Sequence, residues 1–153
     1  MKVKFLSLAT LALVLVACNA PKNEKKEMNE TINVEQKEVS MKYAGVAFST
    51  LLNPSNGKVE TKGDTLVITA NGKTDFFVDP LGEATALTSP QLLIDINNTK
   101  PFTISVKVTP EFNDDDTYSA AGIVAYEGPT SWQKLCYEQD EQGDHRIVRK
   151  DGG

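Results

Sequence analysis

Histidine, cysteine and basic charge are scarce in this 153-residue chain, and each scarcity removes a class of function. A single histidine leaves no His-based metal site to build, and no cofactor is expected. Two cysteines cannot form a disulfide-rich scaffold. Lys and Arg number 16 against 21 Asp and Glu, a formal charge of −5, which argues against a nucleic-acid-binding surface. No apolar run is long enough to cross a bilayer as a helix. What remains is ordinary for a globular chain of one domain: 40 % hydrophobic and 24 % charged residues, too apolar to be wholly disordered.

The N-terminus reads as an address. Lys2 and Lys4 form a positive start, and Phe5 to Val16 is a twelve-residue apolar stretch broken only by Ser7 and Thr10. That is the length of a signal-peptide core. The stretch ends in Leu15-Val16-Ala17-Cys18, which resembles a bacterial lipobox. The resemblance implies cleavage after Ala17, a diacylglyceryl thioether on Cys18 and palmitate-type acyl chains holding the protein to a membrane. Residues 1–17 are thus a signal peptide. Their removal takes two lysines and no carboxylate, leaving 14 basic and 21 acidic residues and a charge of −7. With Cys18 lipidated, Cys136 has no intrachain partner, and no disulfide is expected. Asn19, rather than aspartate, after the lipidated cysteine favours the outer membrane in a proteobacterial envelope.

Residues 18–45 lack apolar periodicity and are mixed in charge, so they read as a disordered tether. Its reach is roughly 30 Å. Residues 46–153 read as one all-β domain. Thr65–Ala70 is β-branched and precedes the turn signal Asn71-Gly72. Further strands are expected at Thr74–Val78, Gln91–Ile96, Ala120–Tyr126, Trp132–Glu138 and Asp144–Arg149. Phe102 to Val108 alternates cleanly, with Phe102, Ile104, Val106 and Val108 on one side and Thr103, Ser105 and Lys107 on the other. That pattern predicts a half-buried antiparallel strand. Short strands separated by turn residues predict a β-sandwich or jelly roll.

Three segments carry a family resemblance: Thr74-Asp75-Phe76-Phe77; Pro101 to Val108 with Tyr118-Ser119-Ala120-Ala121-Gly122-Ile123-Val124; and Trp132-Gln133-Lys134-Leu135-Cys136-Tyr137-Glu138. Their order and spacing over residues 48 to 150 resemble the regulation-of-enolase-like family. The resemblance implies a concanavalin A-like lectin/glucanase sandwich. Such domains usually run further than this chain, which ends at Lys150-Asp151-Gly152-Gly153, itself read as a turn. The sandwich is therefore expected to be incomplete, with an open sheet edge after Arg149.

Candidate chemistry lies on the Trp132 strand. Trp132, Lys134, Cys136 and Glu138 share one face; Gln133, Leu135 and Tyr137 share the other. If Leu135 and Tyr137 point inward, Trp132, Lys134 and Glu138 line an accessible face. The ring would stack on a sugar while the charged groups take hydroxyls. Otherwise Trp132 packs at a sheet rim and the charges are solvated. Glu138 and Asp140 could share a face as a glycosidase pair, but Gln142 at the next same-face position cannot ionise, and a charged hairpin is the plainer reading. His145 reads as a surface residue. Asn113-Asp114-Asp115-Asp116 lacks the spaced ligands of a calcium loop. Cys136 reads as a small buried hydrophobe. The sequence therefore predicts a lipid-anchored envelope protein with a non-catalytic, glycan-binding sandwich. The alternatives are a glycoside hydrolase of sandwich fold and an envelope structural or interaction protein.

Overall fold

Val39, Met41 and Tyr43 alternate with exposed Glu38, Ser40 and Lys42, and this period of two makes a strand where the sequence reading places a tether. These residues lack a helical stripe; their pattern is that of a strand. In the computed structural model, which describes residues 32–152 apart from Gly82, the folded unit therefore begins before residue 46, with Val34 already buried in the core. The signal peptide, Cys18 and the first half of the tether lie outside the described residues.

Ten strands follow in order: β1 (Gln36–Tyr43), β2 (Val46–Leu52), β3 (Gly57–Lys62), β4 (Thr65–Ala70), β5 (Phe76–Val78), β6 (Thr85–Leu87), β7 (Gln91–Leu93), β8 (Ala120–Gly128), β9 (Ser131–Gln139) and β10 (His145–Gly152). All pairings are antiparallel. One sheet has the order β1-β2-β7 and another the order β10-β9-β8, with β3-β4 and β5-β6 as two-stranded ribbons. The described chain is all-β and builds a β-sandwich. Ala44 and Gly45, both at positive φ, close the β1–β2 hairpin in two residues, the geometry that matches strand twist.

The core is small. Val34, Leu52, Phe76, Leu87 and Trp132 are buried together, with Ile32, Val78, Leu93, Val124 and Tyr126 packed around them. Phe76 is its hub, meeting Trp132 at 4.9 Å and Tyr126 at 6.0 Å edge to face. Asn53 pins the sheets beside it. Its side-chain amide donates to the carbonyls of Leu87 at 3.0 Å and Ser89 at 2.9 Å, and its backbone N–H donates to Glu35 at 2.7 Å. Asparagine tolerates the left-handed φ of 50° required there.

Two expectations are corrected. Phe102–Val108 forms no strand, and Phe102, Ile104 and Val106 are 56 %, 44 % and 56 % exposed. Alternation says which side chains share a face; it does not provide the neighbouring strand that a ladder requires. Lys150-Asp151-Gly152 is no turn either, because β10 stays paired with β9 to its end, where Gly152 lies opposite Trp132.

Candidate functional site

Register across β8, β9 and β10 sets the inner face of their sheet. Trp132, Lys134, Cys136 and Glu138 of β9 lie opposite Tyr126, Val124, Gly122 and Ala120 of β8. On the other side they lie opposite Gly152, Lys150, Val148 and Arg146 of β10. The condition for an accessible Trp132 is not met. Trp132 is 5 % exposed and Leu135 is 46 % exposed, so the tryptophan face is the inner one. The glycines explain why. A Cβ on Gly152 would overlap the Trp132 indole, and one on Gly122 would overlap the β9 backbone at Leu135 and Cys136. Trp132 therefore belongs to the core, and the ring-stacking role expected for it is withdrawn.

Lys134 and Glu138 are brought to one open groove of roughly 740 Å³, but not to each other. The Lys134 ammonium lies 3.6 Å from Asp75. The guanidinium of Arg146 lies 3.4 Å from Glu138 and 3.3 Å from Asp140. Tyr118, 55 % exposed, and Phe77 supply the ring surfaces. The Glu141 carboxylate near the Tyr118 hydroxyl pushes its pKa up. The groove thus combines an exposed aromatic face with charged hydrogen-bonding groups.

The motif residues interlock. Phe76 packs on Trp132, and its neighbour Asp75 pairs with Lys134, two positions along β9. The Thr-Asp-Phe and Trp-x-Lys segments are thus one junction between the β5–β6 ribbon and the β8–β9–β10 sheet. At the inner end of the junction the contact is apolar; toward the groove it is ionic.

Glu138 and Asp140 converge on one guanidinium, that of Arg146. A catalytic pair must present two carboxyl groups to the substrate. These two face a shared guanidinium, and Asp140 also accepts the backbone N–H groups of Gln142 at 3.0 Å and Asp144 at 2.9 Å. Asp140 is a clamp on the β9–β10 turn. His145 stacks with Phe112 at 4.3 Å, away from the groove. Asp116 accepts from the Asn113 amide at 2.8 Å, and Gln139 donates to the carbonyls of Asn113 and Asp116, so the acidic run is organised as a turn. Among the described residues no group of three or more His, Cys, Asp or Glu side chains could hold a metal ion.

Cys136 is buried between Gly122 and Val148, and its thiol lies 3.7 Å from the Val148 carbonyl. Burial pushes the thiol pKa up, which starves it of the reactive thiolate. Iodoacetamide will leave Cys136 unmodified in the native protein and alkylate it fully in guanidinium. Peptide mass spectrometry reads the difference, and rapid native alkylation would contradict the burial.

Sequence reasoning missed Arg146, Tyr118, Asp75 and Lys150 as groove residues. Arg146 had only a partial signal: a two-residue turn at Gln142-Gly143 would set Ile147 opposite Glu138, and it is the longer connection from Asp140 to Asp144 that sets Arg146 there. Tyr118 had none, since it sits in a loop at a left-handed φ of 61°.

Comparison with curated proteins and with solved structures finds no match. Residues 51–149, from within β2 to near the end of β10, match the family described as protein of unknown function DUF1349, a family of concanavalin A-like fold, and the chain belongs to that family.

Proposed function

We propose that this chain is a lipid-anchored protein of the bacterial cell envelope, held at the outer membrane through Cys18, whose sandwich is a non-catalytic glycan-binding module. The observation that carries the binding half is the groove, where the exposed Tyr118 ring stands beside Lys134, Glu138 and Arg146. A sugar presents an apolar ring face and a rim of hydroxyls, and this groove offers a surface for each. The lectin/glucanase type of fold agrees with that use, and the regulation-of-enolase-like resemblance is part of the same reading. The anchor half rests on Leu15-Val16-Ala17-Cys18. Among the described residues no helix is long and apolar enough to cross a membrane.

A platform of one exposed ring gives weak affinity, in the millimolar range or about −4 kcal/mol. Tyr118→Ala will remove most of the retention seen in affinity electrophoresis through polysaccharide gels, and Tyr118→Phe will keep it, because the ring supplies the contact. Wild-type protein that no polysaccharide retards would reject the glycan reading. The burial of Trp132 favours a second reading in that event: an envelope structural or interaction protein, its motifs serving the sheet junction alone.

A further inference from the structure

The groove carries a charge arrangement that the fold itself does not need. Lys134 and Lys150 lie directly opposite each other across β9 and β10, both on the inner face. Like charges in that position destabilise a sheet. Asp75 compensates Lys134 at 3.6 Å. Lys150 has no ion-pair partner among the described residues; its ammonium stands 5.5 Å from the centre of the Phe77 ring. Arg146, four positions before Lys150 on the same face of β10, is spent on Glu138 and Asp140. An acidic chain of net charge −5 thus keeps a like-charged lysine pair at this groove, with one ammonium outside any ion pair among the described residues.

We infer that the groove takes an acidic glycan, with a sugar carboxylate seated between Lys134 and Lys150 and a further ring of the same glycan chain on Tyr118, toward the Glu138 end of the groove. This rests on the glycan reading above and names its ligand class. A carboxylate accepts from both ammonium groups at once and removes the cross-strand repulsion, so binding and strain relief act together. A neutral sugar leaves the Lys150 charge unanswered. Proximity of Asp75 and Glu138 sets a further limit: the groove repels an anion placed at its Asp75 or Glu138 side, so a single carboxylate on the β10 side fits better than a uniformly dense polyanion.

The test uses the full chain in affinity electrophoresis through polygalacturonate, its fully methyl-esterified form, and polyglutamate. The first two share a sugar backbone and differ in charge; the third carries carboxylates without sugar. Retention by polygalacturonate is expected, weakened about tenfold by esterification and by Lys150→Ala, as expected for a lost charge-assisted contact. The variant's circular dichroism should match wild type. Lys150→Gln should also raise the melting temperature of the unliganded protein, a readout that needs no ligand. Equal retention by the esterified polymer, or unchanged retention of Lys150→Ala, would overturn the acidic preference and leave the glycan reading standing. Retention by polyglutamate equal to that by polygalacturonate would overturn the inference in favour of charge alone. No retention by either sugar polymer would overturn the inference together with the glycan reading. A melting temperature that fails to rise in Lys150→Gln would show that the lysine pair is not strained and remove the ground for the carboxylate.

Discussion

Trp132→Ala will remove most of the stability of the sandwich. Trp132 is 5 % exposed, packs edge to face on Phe76 at 4.9 Å, and covers Gly152 at the end of β10. Truncating a buried tryptophan to alanine costs about 3–5 kcal/mol through lost transfer free energy and the cavity left behind. A whole domain is stable by only about 5–15 kcal/mol, and a cluster of five buried core residues places this one toward the lower end. The loss is therefore comparable to the total. Guanidinium denaturation followed by far-ultraviolet circular dichroism measures it. Trp132→Phe will cost much less: it keeps the ring against Phe76 and removes a buried indole N–H that has no partner among the described residues. A Trp132→Ala protein that melts cooperatively within about 0.5 kcal/mol of wild type, the range of an ordinary surface substitution, would show that the tryptophan is not structural. The same variant will lose glycan binding only through unfolding, so Tyr118→Ala, not Trp132→Ala, is the informative binding variant.

Cys18→Ser will release the protein from the membrane completely. The expected thioether needs the Cys18 sulfur, and serine offers no thiol for the diacylglyceryl group to alkylate. Each acyl methylene buried in the bilayer contributes about 0.8 kcal/mol, and stable anchoring takes two chains; without them the described sandwich has no comparable hold. Metabolic labelling with an alkyne fatty acid should mark wild type and leave the variant blank. Fractionation should then move the variant from the membrane pellet to the soluble fraction. Equal label on both proteins would end the lipoprotein proposal without touching the reading of the groove.

Short β-prone runs bounded by turn residues determined by themselves that residues 120–126 and 132–138 are strands. Period-two alternation was present in Val39, Met41 and Tyr43, but the charged residues between and before them made the segment read as a tether. Short β-branched runs separated by turn residues also sufficed for an all-β class. Two matters were beyond any local pattern. Phe102–Val108 alternates as well as any strand in the chain, yet it stands unpaired, because a strand exists only where another backbone takes its hydrogen bonds. The orientation of β9 was equally undetermined. One face holds Trp132, Lys134, Cys136 and Glu138, the other Gln133, Leu135 and Tyr137, and each mixes apolar with polar residues. Only the tertiary structure broke that tie. Gly122 and Gly152, distant in sequence, leave room on one side of β9 alone, and Phe76 from another ribbon fills it. The tryptophan turned inward to that space, and Lys134 and Glu138, bound to the same face by the pleat, were carried into the groove with it.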